Sequence, residues 1–261
     1  MVRLAGTMAR QRTPEGPAPA PVVQRLRIRY ARRGRLRFSS ARDFSRALER
    51  ALRRAEVPMA FSAGFHPHPR ISYAGGAPMG VESEAEYLEI AVAERVDPQA
   101  VRATLDDALP TGLDILEVVE AGPGSLADRL EASVWQVALP GLPAGELAAS
   151  LGRFLDQESV LVTRVLKTGP RDVDVRAAVV QARPDSGGGG ADADPYAILT
   201  LVVRHTTPAV RPDDVLAALR SVTGLVPPRP PRVTRLAQGP LEAGNGSVTD
   251  PLATDKDAAG P

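Results

Sequence analysis

The chain has 261 residues, 43% of them apolar and 24% charged, and it contains no cysteine. That composition suits a globular protein with its own core, and it excludes disulfides, thiolate metal sites, a cysteine nucleophile and an iron–sulfur cluster held by this chain's own thiolates. The net charge of +1 hides a segregation: positions 25–54 carry twelve arginines against Asp43 and Glu49, a net +10, which leaves −9 for the rest.

Residues 1–21 are rich in Pro, Ala, Gly and Arg, lack periodicity and read as a disordered lead-in. They carry no apolar run of the secretory kind, and no stretch of the chain is apolar enough to span a membrane. A cytoplasmic protein without membrane contact is the expectation.

Val23–Ala31 alternates, with Leu26, Ile28 and Tyr30 on one side and Arg25, Arg27 and Arg29 on the other, which predicts a half-buried strand. Gly34 predicts a turn, with Leu36 and Phe38 extending the pairing. Ser40 is placed to cap a helix over 43–55. In that helix Phe44, Ala47, Leu48, Ala51, Leu52 and Ala55 form an apolar stripe, and Arg42, Arg46, Arg50, Arg53 and Arg54 form the opposite face. Short strands follow at 58–61, 71–74 and 86–92, then a helix opened by Asp97-Pro98 and ending near Leu109, then a strand at 113–119.

The rhythm then repeats. Strand 133–139, helix 144–157, strands 160–167, 173–182 and 196–205, a helix from Arg211-Pro212 to about Val222 and a strand at 232–237 follow in order, with Gly187–Gly190 as a flexible tip. The expected fold is α+β: two tandem ferredoxin-like (βαββαβ) units with antiparallel sheets, at 22–122 and 123–237, the second with one extra strand. Residues 238–261 lack an apolar face and read as a disordered tail.

Several segments carry candidate chemistry. An open sheet face bearing Arg25, Arg27 and Arg29, joined by Arg35, Arg37, Arg46 and Arg50, suits a polyanion, because guanidinium forks match phosphate oxygens. Tyr73, Phe61 and Phe65 are the nearby stacking candidates, too few to support base stacking. In Gly64-Phe65-His66-Pro67-His68-Pro69-Arg70-Ile71-Ser72 the prolines hold both histidines extended. His66, His68, Arg70, Ser72 and Glu82 then form a candidate substrate-contact loop, with no metal assigned. The glycines of 75–80 follow no nucleotide-cradle pattern. Charged residues alternate over Lys167–Arg176, and His205 stands alone at a strand end.

Gly34-Arg35-Leu36-Arg37-Phe38-Ser39-Ser40, Asp43, the 64–72 segment and Gly80-Val81-Glu82-Ser83-Glu84-Ala85-Glu86-Tyr87 together resemble the radical-SAM-linked protein family, a domain of unknown function fused to or encoded beside a B12-binding-type radical SAM protein. The resemblance covers about 23–237. It implies a radical SAM protein as partner, which would hold the cluster and S-adenosylmethionine, and no cofactor on this chain. The family pattern carries a histidine where this chain has Ala41 and a different residue at His66, so His68 and Asp43 keep the interest.

Three functions stand open. The leading one is a non-catalytic accessory protein that holds an RNA backbone through its arginines and works with the radical SAM partner. The second is an RNA-processing or modifying enzyme with His68 and Asp43 as acid and base. The third is a protein–protein adaptor without nucleic acid.

Overall fold

The computed structural model describes residues 19–166, 169–187 and 196–258. The described residues form a mixed α+β structure with six helices and a mostly antiparallel sheet. In chain order the first half contains β1 (Gln24–Arg32), α1 (Ala41–Arg54), β2 (Ile71–Ala74), β3 (Glu82–Val92), α2 (Pro98–Ala108) and β4 (Leu113–Glu120). The second half contains β5 (Ala132–Pro140), α3 (Ala144–Leu155), β6 (Leu161–Leu166), β7 (Gly169–Asp174), α4 (Val175–Ala178), β8 (Val179–Ser186), β9 (Tyr196–Arg204), α5 (Pro212–Thr223) and β10 (Arg232–Gly239), and α6 (Ala253–Ala258) closes the chain.

Eight strands form one sheet in the order β4-β1-β3-β10-β5-β9-β8, with β2 on β3. In the first half β4, β1, β3 and β2 pair antiparallel in that order. In the second half β10, β5, β9 and β8 do the same. A short parallel contact, Thr234 against Glu82 and Arg235 against Ser83, joins the halves. β6 and β7 form a separate hairpin.

Alternation decides which face each half buries. Leu26, Ile28 and Tyr30 of β1 meet Leu88, Ile90 and Val92 of β3, and α1 and α2 cover them with Phe44, Leu48, Ala51, Leu52, Val101 and Leu105. Trp135, Val137 and Leu139 of β5 with Leu199, Leu201 and Val203 of β9 lie under α3 and α5, which add Leu147, Leu151, Phe154, Val215 and Leu219. Burying side chains of this size contributes about 1.5–3 kcal/mol each.

The expected disordered tail is corrected over most of its length. Residues 240–252 run back along the sheet, with a bridge between Leu241 and Val248, and Leu252 is fully buried. Leu252 packs with Ala74, Ala85, Tyr87, Leu126 and Leu130 on the face of the first half that α1 and α2 leave uncovered. Gly239 permits the turn: a Cβ there would collide with the Thr249 carbonyl oxygen. The signal for this strap was weak in sequence because one leucine and one aspartate carry it, without periodicity.

Local boundaries also differ from expectation. The expected strand at 58–61 is two isolated bridges, Met59 with Val92 and Phe61 with Pro69. Leu36 and Phe38 belong to a 3₁₀ turn, Gly34–Phe38, rather than to an extended β1. The expected strand at 173–182 is broken by α4: Asp174 caps that helix through Ala177 N–H and takes the Ser159 hydroxyl at 2.8 Å. Arg176 donates to the carbonyls of Leu155 and Val179 instead of alternating on a strand. Most of the lead-in, Lys167, Gly188–Gly190 and the last three residues lie outside the described residues.

Candidate functional site

α1 begins where the Ser40 hydroxyl accepts the Asp43 N–H at 3.2 Å, and Ser40 donates to the Asp43 carboxylate at 2.7 Å. The Ser40 hydrogen bond, with Arg46 and Arg42 nearby, holds the Asp43 carboxyl below its usual value despite some desolvation. A carboxylate tied into a helix cap and kept ionised is a poor general acid or base at neutral pH. Asp43 is a capping residue here.

The +10 window separates into three groups. Arg25 pairs with Glu89 at 3.0 Å, Arg33 with Glu84 and with Asp114 at 2.6 Å, and Arg37 with Glu82 at 3.2 Å. Arg27 pairs with Asp255 at 2.8 Å and with Glu89 at 3.2 Å. Arg29 donates to the Glu84 carbonyl, and Arg32 to the carbonyls of Ala77, Pro78 and Val81. Arg35, Arg42, Arg46, Arg50, Arg53 and Arg54 are exposed and form no ion pair among the described residues.

This corrects the expected arginine face of β1. Around Arg27 that sheet face is covered by residues 122–131 and by the strap, whereas Arg25 at its end stays exposed beside Glu89. Arg27 is only 1% exposed and gives both hydrogens of one fork to Asp255, at 2.8 and 2.9 Å, while its other nitrogen reaches the carbonyls of Gly122 and Gly124. Like-charged neighbours on one strand repel, and here carboxylates from distant parts of the chain and backbone carbonyls absorb that repulsion.

The positive field that remains belongs to α1. Beside its first turns, Tyr73 of β2 donates to the Ser45 hydroxyl at 3.1 Å and lies edge-on to Phe44, which stacks on Tyr30 at 4.6 Å. Tyr73 is nevertheless about half exposed (48%), and Phe38, Phe61 and Phe65 are 58%, 43% and 64% exposed. Phe38 was not among the expected stacking candidates. The Arg37 guanidinium 4.6 Å above its ring was legible only in three dimensions.

The 61–70 loop is closed at its neck by Ser62 N–H to the His68 carbonyl at 2.9 Å, His68 N–H to the Ser62 hydroxyl at 3.1 Å and Arg70 to the Phe61 carbonyl at 3.2 Å. His66 and His68 are exposed, and their rings make no hydrogen bond among the described residues. Ser72 is exposed on β2 opposite Glu89. Glu82 is held elsewhere, by Gly34 N–H at 2.9 Å and by Arg37, where it fixes the 3₁₀ turn. Of the expected substrate-contact set, His66, His68 and Arg70 share one exposed loop and Glu82 is engaged away from it. No cluster of three or more His, Asp or Glu that could hold a metal occurs among the described residues.

His205 is not alone, as its position in sequence suggested: its two ring nitrogens meet Ser133 Oγ and the Leu130 carbonyl, each at 2.7 Å. Burial, with the Arg235 charge adding to it, lowers its pKa against the opposing hydrogen bond to Leu130.

No helix among the described residues is long and apolar enough to cross a membrane. No curated protein matches the chain. A crystal structure described as that of an unknown protein from Galdieria sulphuraria is similar at 12% identity, over 81% of this chain and 96% of that one, with a TM-score of 0.24. A family model described as "Uncharacterized protein conserved in bacteria (DUF2344)" matches residues 25–212, and the chain belongs to that family.

Proposed function

We propose that the protein binds an RNA backbone through the arginine face of α1 and serves as a non-catalytic accessory to a radical SAM enzyme in the cytoplasm. One observation carries the nucleic-acid part: Arg42, Arg46, Arg50, Arg53 and Arg54 are exposed along one helix without a carboxylate partner among the described residues. Exposed arginines that form no ion pair can release counterions from a phosphate chain. The exposed rings of Tyr73, Phe38, Phe61 and Phe65 add stacking platforms for single-stranded bases.

The radical SAM partner rests on the resemblance of 34–43, 64–72 and 80–87 to the radical-SAM-linked family. The absence of cysteine means that such a partner would supply the cluster ligands itself. The reading of each half as a ferredoxin-like unit is supported by the matching strand orders, β4-β1-β3-β2 and β10-β5-β9-β8, with β6, β7 and α4 as an insertion in the second. The enzyme alternative loses support, since Asp43 is occupied at a helix cap.

The test is a gel shift with single-stranded RNA at low salt. Arg42→Glu with Arg46→Glu and Arg50→Glu abolishes binding under this reading, and a shift that survives the triple change refutes it. Co-purification with a radical SAM protein after nuclease treatment, together with no RNA shift at any salt, would favour the adaptor reading.

A further inference from the structure

We infer that the junction between the two halves holds a second site, independent of α1, for a small organic anion with a compact apolar body. A cavity of about 290 Å³ opens there, lined by Gly75, Pro78, Ser133, Trp135, His205 and Arg211 among others. It has room for about ten water volumes, close to the lower end of typical ligand pockets.

Its lining selects the charge. No aspartate or glutamate lines it, while Arg211, Arg235 and His205 do. Arg235 is neutralised from behind: it is 3% exposed, pairs with Glu86 and sits 5.3 Å over the Trp135 ring. Glu86 also accepts the Ala77 N–H at 3.1 Å, so both members of that pair are engaged. Arg211 is different. It is exposed just before α5, and its guanidinium makes no ion pair among the described residues. Asp214 in the first turn of α5 is occupied by Arg211 N–H at 2.7 Å and by Arg164 at 3.4 Å.

Ser133 and His205 form a fixed part of the wall, because the hydrogens of both are already given within the protein. A carbonyl can only accept, so the contact with Leu130 places a proton on Nδ1. In the neutral ring Nε2 then accepts from the Ser133 hydroxyl, which is 1% exposed. The arrangement locks the ring in one orientation at the cavity wall. Val203, Val210, Pro78 and Trp135 form the apolar part. The exposed Arg211 guanidinium beside a rigid, largely apolar wall describes a receptor for a phosphate or carboxylate carried on a small ring or branched chain.

Trp135 is the single tryptophan of the chain, so its fluorescence reports on this cavity alone. Phenyl phosphate is the probe, with phenol and inorganic phosphate as the two half-molecules. The site predicts a saturable change in Trp135 fluorescence with phenyl phosphate and none with phenol over the same range. Arg211→Gln weakens binding at least about tenfold, a change of roughly 1.4 kcal/mol, and Arg211→Glu abolishes it. Arg42→Gln with Arg46→Gln and Arg50→Gln leaves the response intact. A wild-type protein that gives no saturable response, or wild-type affinity retained in both pocket variants, overturns the proposal. Each variant is first checked by circular dichroism, and either of the two alone is sufficient for the test. Inorganic phosphate that binds as tightly as phenyl phosphate would refute the apolar half of the claim.

Discussion

Replacing Asp255 by alanine removes the buried carboxylate of α6, just past the strap that it anchors. Its carboxylate is fully buried and accepts from Arg27, from Arg129 at 2.8 Å and from Gly122 N–H at 2.9 Å. Removing one partner of a buried ion pair costs about 3–5 kcal/mol, because the other charge stays buried and uncompensated. Arg27 keeps Glu89 and two carbonyls, so the lower end, about 3 kcal/mol, applies. For a domain of this size that lowers the melting temperature by roughly 6–12 °C. The assay is thermal unfolding followed by far-UV circular dichroism, with Asp257→Ala, an exposed neighbour on the same helix, as control. Arg27→Met combined with Asp255→Leu should recover most of the loss, since matched apolar replacements of buried pairs are often neutral. If Asp255→Ala melts within about 1 °C of wild type, the strap is not docked by this pair and the argument fails.

The remaining predictions concern acid, a histidine and a turn. Burial would raise the Asp255 carboxyl, but hydrogen bonds from Arg27, Arg129 and Gly122 N–H outweigh it and hold it below its ordinary 3.8. The folded value is depressed, so the stability it adds is present above the unfolded value and is lost as pH falls through the folded one. Urea midpoints should therefore drop below pH 4 in wild type and depend less on pH in Asp255→Asn. His205 has its folded pKa lowered mainly by burial, so stability should decline as pH falls from its ordinary 6.5 toward the folded value. A midpoint-against-pH curve with an unchanged slope in His205→Gln would contradict that. Gly239→Ala pushes a Cβ into the Thr249 carbonyl and should destabilise the strap by about 1–3 kcal/mol. Limited proteolysis showing faster cleavage in 240–252 would check it, and an unchanged pattern would count against the close approach.

The helices were legible because each carries a repeated signal. Phe44, Leu48, Ala51 and Leu52 recur at helical spacing and are the buried residues of α1, and Asp97-Pro98 caps α2 as its chemistry requires. The alternation of β1 was equally plain, and it correctly separated Leu26, Ile28 and Tyr30 from the arginines. It could not say what covers the arginine side. That depends on Asp255, 228 residues away from Arg27 in the chain, and no local pattern encodes such a pairing. The same distance hid the junction cavity: Gly75, Ser133, the stretch from His205 to Arg211, and Arg235 come from four separate segments, and each reads as ordinary by itself. Charge counting found the cationic region but not its free part, because neutralisation is a property of pairs.

The central claim is that α1, and not β1, meets the nucleic acid. Equilibrium binding of a single-stranded RNA measured across salt concentrations tests it most directly. Five phosphates neutralised by Arg42, Arg46, Arg50, Arg53 and Arg54 predict a slope of log affinity against log salt of roughly −3.5, or about a hundredfold loss from about 50 to about 200 mM. Arg42→Gln with Arg46→Gln and Arg50→Gln should bring the slope to roughly −1.4, while Arg25→Gln on β1 should leave it unchanged. Absence of binding at about 50 mM salt, where the backbone term is strong, or a slope that the triple replacement does not alter, would contradict the account.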